Sequence, residues 1–335
     1  MIEWLKQTEE RQRELLSLVS NRTGLPAIAI EKDWWVTVAL YAIFQTEWSE
    51  QLVFKGGTSL SKAWQIIERF SEDIDLVLDR SVLGFSGDLS KSKISDLRKR
   101  SCAFTSGPFR AAITAQLLQM GVPEALFKLT PKEVKSSDTD PQVLILEYHS
   151  VLEKGEYLKE AVLIEVGARS LREPAEMCEI SSIISATLKD AAIAGAPFSV
   201  LTVIPARTFL EKIFLLHEEF NRPGEKAIRD RMSRHLYDLE RLMDTEHGKQ
   251  AIADAHLYQT IVEHREQYNT VRGLDYTKHH PHTIDFIPPD EVLQPWESDY
   301  KAMQQNMIYG DSLPFAKLIV RLEELRGRFR TLKGF

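Results

Sequence analysis

Three things are scarce in this chain of 335 residues. There are two cysteines, Cys102 and Cys178, and their wide separation matches no zinc or redox spacing. Reduced, buried thiols in a cytosolic protein are the expectation. No apolar run approaches a membrane span, and Met1-Ile2-Glu3-Trp4-Leu5-Lys6-Gln7 offers no apolar stretch of signal-peptide length. A cytoplasmic protein with no membrane partner is expected. Positive charge is also short: 42 Lys and Arg face 49 Asp and Glu, a net charge of −7. That excludes a global field drawing the protein onto nucleic acid, so such a partner would need a local basic patch. Hydrophobic residues are plentiful at 43%, enough for a sizeable core. The length suggests two domains, or one with a large extension.

Periodicity suggests helices over Glu3 to Ser20 and Ile30 to Phe44, then a short strand Leu52-Val53-Phe54 ending at Gly56-Gly57. A helix from Ser59 to Phe70 would carry Leu60, Ala63, Trp64 and Ile67 on one face. Ile74 to Leu78 reads as a strand, Ser81 to Asp96 as a loop, and Leu97 to Met120 as a helix interrupted near Gly107-Pro108. Val143 to Val151 and Ala161 to Val166 suggest a hairpin turning at Glu153-Lys154-Gly155-Glu156. After Pro205 helical patterns dominate, over Arg207 to Phe220, Ala227 to Met243 and Leu313 to Phe329. A soft boundary at Pro205 gives domains 1–204 and 205–335. His279, His280 and His282 sit among prolines and read as a loop.

The strongest chemistry lies in Ser71-Glu72-Asp73-Ile74-Asp75-Leu76-Val77-Leu78. Residues two apart on a strand share a face, so Asp73 and Asp75 present carboxylates roughly 7 Å apart at the backbone. Two such groups repel unless a cation neutralises them. Magnesium prefers hard oxygen ligands and keeps coordination free for phosphates. Taken alone, Asp-x-Asp is common and is usually just solvated.

Upstream, Gly56-Gly57 separates a strand from a helix, and glycine allows positive φ and close backbone approach. Thr58 and Ser59 add hydroxyls where free N–H groups favour phosphate. The turn lacks the Gly-Lys-Ser/Thr ending of a P-loop and the spacing of a dinucleotide fingerprint.

Together, Lys55-Gly56-Gly57-Thr58-Ser59-Leu60-Ser61-Lys62-Ala63 and Arg69-Phe70-Ser71-Glu72-Asp73-Ile74-Asp75-Leu76 resemble the first motif of the AbiEii/AbiGii toxin family of polymerase-β-like nucleotidyltransferases. The resemblance implies an α+β nucleotidyltransferase fold: a small mixed β-sheet flanked by helices, followed by a mainly helical C-terminal domain. It implies a toxin of an abortive-infection or toxin–antitoxin system, with a cognate antitoxin. The activity implied is transfer of a nucleoside monophosphate from a nucleoside triphosphate to a hydroxyl of RNA, such as a tRNA 3′ end, or of protein. Lys55, Gly56, Gly57, Thr58 and Ser59 would bind the nucleotide, and Asp73 and Asp75 would hold Mg2+ or Mn2+.

Such a site needs a third acid, as metal ligand or proton acceptor. Glu165, flanked by aliphatics in Val162-Leu163-Ile164-Glu165-Val166-Gly167, resembles the fold's third motif, with Glu147 in reserve. In the helical half, Glu211-Lys212 resembles the family's Glu-Lys pair, so Lys212 is expected on the polyphosphate. Arg234-His235-Leu236-Tyr237-Asp238-Leu239 resembles its Arg-(His or Asp)-x-x-Asp motif. There Arg234 would bind nucleotide, and Asp238 would orient Lys212 or Arg234. Arg231, Arg234 and Arg241 would form the local basic patch. A metal-dependent nuclease or a non-catalytic nucleotide-binding protein would use similar groups. Labelled triphosphates discriminate, since a nuclease shortens RNA without incorporating label.

Overall fold

A computed structural model of the chain describes residues 2–153, 159–188, 193–222 and 231–332. The chain forms two compact units: Met1–Ala63 with Phe70–Thr202, and Trp64–Arg69 with Val203–Phe335. It therefore leaves the first unit for six residues and returns before crossing again.

The first unit is built on a mixed sheet of seven strands: β1 (Leu52–Lys55), β2 (Asp73–Leu78), β3 (Phe127–Pro131), β4 (Gln142–Tyr148), β5 (Ala161–Gly167), β6 (Ala175–Ile180) and β7 (Phe198–Val203). Their order across the sheet is β3-β4-β5-β2-β1-β7-β6. β2 runs antiparallel to β1 and parallel to β5. Its helices are α1 (Glu9–Thr23), α2 (Ala27–Ile43), α3 (Gly56–Lys62), α4 (Lys91–Phe104), α5 (Arg110–Gln119) and α6 (Ile183–Thr187). The fold is α+β.

Alternation decides which face of the sheet is covered. Ile74, Leu76, Leu144, Leu146, Ile164 and Val166 point to one side and are buried. α2 packs there, with Trp35 stacked on Tyr148 at 5.0 Å between ring centres. On the other side, Asp73, Asp75 and Glu165 are half-buried.

The second unit is helical: α7 (Pro205–Asn221), α8 (Arg234–Leu242), α9 (Glu246–Ala253), α10 (Ala255–Tyr268), α11 (Asp290–Asn306) and α12 (Phe315–Arg330). Pro205 starts α7 at a position where its missing N–H costs nothing. Phe315, Leu318, Leu322, Leu325 and Phe329 on α12 are all buried, which makes that stripe core.

Several elements depart from the periodicity. The helix after Gly56 ends at Lys62 rather than Phe70. Beyond it the chain joins the second unit: Gln65 takes a left-handed φ of 53°, the Trp64 indole donates to the Val203 carbonyl at 3.0 Å, and Arg69 bridges Ile308. α4 begins at Lys91, inside the segment expected to be a loop, because Ser90 caps it and Ile94 and Leu97 are buried. The interruption at Gly107-Pro108 is a π-helical turn, Thr105–Phe109. β3, β6 and β7 are additional strands. Most of the turn placed at Glu153–Glu156, and the residues before Arg231 in the helix expected from Ala227, lie outside the described residues. No helix among the described residues is long and apolar enough to cross a membrane.

Candidate active site

The strand register assembles the acids. Asp75 on β2 pairs with Glu165 on β5 and with Lys55 on β1, and Glu165 pairs with Val143 on β4. Directly paired residues share a face, so Lys55, Asp75 and Glu165 form one row, with neighbouring strands about 4.8 Å apart. Asp73 lies two residues along the same face. Glu147 is opposite Ala161, on a strand that does not touch β2, and it is exposed.

The glycine turn and the acid strand depend on each other. Gly56 has φ +83°, and a Cβ built there would sit 2.8 Å from Asp75 Cγ and closer still to Oδ2. Only glycine lets the backbone lie against that carboxylate. Among the described residues no donor or cation pairs with the Asp75 carboxylate, although Lys55 stands beside it in the register; the Lys55 ammonium reaches Ser170 Oγ at 3.4 Å.

Thr58 and Ser59 are buried and their hydroxyls turn inward. Thr58 donates to the Asp73 carbonyl and lies 2.9 Å from Ser71 Oγ, and Ser59 donates to the Gly56 carbonyl at 2.9 Å. These bonds tie the start of α3 to the start of β2.

A second set of ties comes from α2, where three consecutive charged residues are buried: Glu31, Lys32 and Asp33. Consecutive helical residues point about 100° apart, so each reaches a different segment. Lys32 pairs with Glu72, beside Asp73, and donates to the Lys159 carbonyl at 3.0 Å. Asp33 pairs with Lys62 at the end of α3 and accepts from Ile183 N at 2.7 Å. Glu31 accepts from Ser150 Oγ and Val151 N; burial pushes its pKa up, and those two bonds oppose the rise. Sequence reasoning missed this triplet. Its signal is three adjacent charges inside the apolar run Ala27–Ile43.

In the second unit, Asp238 is fully buried. Arg69 binds it with two parallel bonds, Nε to Oδ1 and Nη2 to Oδ2, each 2.7 Å. Lys212 reaches Oδ2 at 2.9 Å and His235 Nδ1 at 3.3 Å. Burial alone would raise the Asp238 pKa, but the Arg69 and Lys212 cations hold it well below the carboxylate range. Burial lowers the Lys212 pKa, opposed by Asp238 and reinforced by Arg69 and Arg234. Burial and the Lys212 charge keep His235 neutral. Asp238 therefore orients Lys212, and its other partner is Arg69 rather than Arg234. The Arg234 side chain has no partner among the described residues; its charge acts on Lys212 and His235. Arg241 is taken up by Glu68 at 3.1 Å.

His279 is buried between Tyr276, which stacks on it, and Glu218. Among the described residues no three His, Cys, Asp or Glu side chains stand together as a metal-holding group. The acids of β2 and β5 share a face without converging on one point.

A family model described as the nucleotidyl transferase AbiEii toxin of a type IV toxin–antitoxin system matches residues 38–323. The chain belongs to the AbiEii family. It is a nucleotidyltransferase of a toxin–antitoxin family. The AbiEii match takes in the glycine turn, both acid strands, Lys212 and Asp238, and begins after the Glu31-Lys32-Asp33 triplet. Among solved structures the chain is similar to MenT4, a nucleotidyltransferase toxin from Mycobacterium tuberculosis H37Rv. The identity is 17%, the TM-score is 0.45, and the alignment covers 95% of this chain and 99% of that one. No curated protein matches the chain.

Proposed function

We propose that this AbiEii protein is a metal-dependent toxin that transfers a nucleoside monophosphate from a nucleoside triphosphate to an RNA hydroxyl, with a tRNA 3′ end as the representative acceptor and a cognate antitoxin as partner. The observation that carries the reading is the Asp75 carboxylate, laid against Gly56 and beside Glu165 and without a pairing cation among the described residues.

Asp73, Asp75 and Glu165 are the proposed ligands for magnesium or manganese. The donor set fits: all are hard oxygens, and magnesium is usually held by one or two carboxylates with phosphate and water completing the shell. When bound, the metal would supply Lewis-acid polarisation of a phosphoryl oxygen and screen the phosphate charge.

The chain's own residues divide the remaining work. Gly56 and Gly57 present backbone to the triphosphate, while Thr58 and Ser59 hold the turn's shape through their inward bonds. An ammonium has three donors. Lys212 spends one on Asp238 and one on His235, leaving the third for a phosphate oxygen, with Arg234 as a second cation. The acceptor oxygen bonds to the α-phosphorus, its proton passes to Glu165, and the bond to the departing pyrophosphate breaks.

The test is incubation with each α-labelled triphosphate and total cellular RNA, with magnesium or with chelator. A labelled RNA band is expected only with metal, and Asp75→Asn should abolish it while the melting temperature holds. RNA shortened without label, or full labelling by Asp75→Asn, would defeat the proposal.

A further inference from the structure

The net charge of −7 conceals one strongly basic element. α4 reads Lys-Ser-Lys-Ile-Ser-Asp-Leu-Arg-Lys-Arg-Ser-Cys-Ala-Phe, five cations against one acid. Its inner face is apolar or small: Ile94, Leu97, Ser101 and Cys102 are buried. Lys91, Lys93, Lys99 and Arg100 are exposed. Among the described residues none of the three lysines forms a salt bridge, although Lys99 lies near enough to Asp138 to help lower its pKa. Arg98 has a long pair with Asp138 at 3.5 Å, and Arg100 bonds the Leu83 carbonyl at 3.2 Å.

The charge is placed against local preference. The first turn of α4 holds no acid and carries Lys91 and Lys93 instead. Cations at that end oppose the helix dipole and destabilise the isolated protein. An anionic partner would reverse the sign of that term. The arginine stripe expected in the second unit is a poorer patch, since Arg241 is paired with Glu68 and Arg231 lies before the start of α8.

α4 is also built onto the two acid strands. Arg100 holds Leu83, in the turn that continues β2, and Ser101 Oγ donates to Asp140 at 2.9 Å. Asp140 in turn accepts from Ala168 N, just beyond β5. From Asp75 to Asp79 the strand advances about 13 Å. α4 is thereby anchored just beyond the C-terminal end of β2, the strand that carries Asp73 and Asp75.

We propose that the exposed face of α4 docks the phosphate backbone of the acceptor RNA. This rests on the reading of RNA as acceptor. Docking is sequence-independent, because lysines contacting phosphate position a strand without reading its bases.

The test compares the protein with the triple variant Lys91→Gln, Lys93→Gln, Lys99→Gln. Glutamine matches lysine in helix propensity, so the variant should fold, with an unchanged or higher melting temperature. Binding of fluorescent tRNA is followed by anisotropy from about 50 to 200 mM salt. Each lost single-strand contact removes about 0.7 from the slope of log K against log salt, so the slope should flatten by about 2. KM for RNA should rise at least tenfold while KM for triphosphate stays put. An unchanged slope and RNA KM would overturn the docking surface, as would wild-type protein that does not bind RNA. Retained RNA binding with lost poly-glutamate binding would assign the face to an acidic protein instead. Salt-sensitive RNA binding that is lost in the variant, with no label transferred by wild type, would leave the surface standing and defeat the transfer reading alone.

Discussion

Replacing Gly56 with alanine tests whether the glycine turn and the acid strand are one device. Two effects add. A side chain at φ +83° costs about 1–2 kcal/mol in the left-handed region. In a chain of this size that lowers the melting temperature by roughly 2–8 °C. The new Cβ would also sit 2.8 Å from Asp75 Cγ, where carbon atoms settle at about 3.5–4.0 Å. The carboxylate must retreat by about 1 Å, and displacement on that scale can cost about 100-fold in rate. Gly24 supplies the control: its φ is +74° and nothing lies within 4 Å of an added Cβ. Gly24→Ala should lose similar stability and keep its transfer rate within about twofold, since only the strain is shared. The assay is label incorporation under saturating triphosphate, beside thermal melts of both variants. On an Asp75→Asn background Gly56→Ala should add little further loss, because the two act through one group. Wild-type turnover in Gly56→Ala, or an equal loss in Gly24→Ala, would refute the reasoning.

Three further outcomes are expected. Asp238→Asn removes the buried carboxylate charge that binds Arg69 with two bonds and Lys212 with one, so urea denaturation should show a loss of roughly 3–5 kcal/mol. Lys32→Met should cost a similar amount by removing the buried ammonium that pairs with Glu72, and the double variant Lys32→Met, Glu72→Met should recover part of it; a double variant no better than the single one would argue against the pair. His217 is buried, and burial with the nearby His279 lowers its pKa to about 4. Its folded value lies below the unfolded one of about 6.5, so its contribution of about 3 kcal/mol is present above that pH and is withdrawn as pH falls toward 4. Melts across that range should show the decline in the wild type and a flatter profile in His217→Asn.

The short-range parts of the site were legible in the sequence. A strand ending in two glycines, a helix and an Asp-x-Asp strand are local patterns, and Asp73, Asp75 and Gly56 follow from them. Glu165 was readable as an acid among aliphatics, but its place beside Asp75 is a matter of register, which no local pattern carries. Thr58 and Ser59 looked like ligand donors because a turn shows which hydroxyls are near phosphate, not which way they point; both donate inward. Arg69 was visible in the motif, but its partner Asp238 lies 169 residues away. The helix expected through Phe70 stopped at Lys62 because contacts with the second unit outweigh helix propensity after Ala63.

The six-residue excursion Trp64–Arg69 bears on how the protein can be dissected. A single cut near Val203 yields no self-sufficient pieces. The C-terminal fragment would lack Arg69, leaving Asp238 with one buried cation in place of two, and would lack the Glu68 carbonyl that receives Tyr309 N at 3.0 Å. The N-terminal fragment would carry an orphaned hydrophobic strap, Trp64 included, between its glycine turn and its Asp-x-Asp strand. Split-protein reporters and limited proteolysis should therefore find the halves interdependent for folding, and a nick at the second crossing should leave a complex still stitched together through the first.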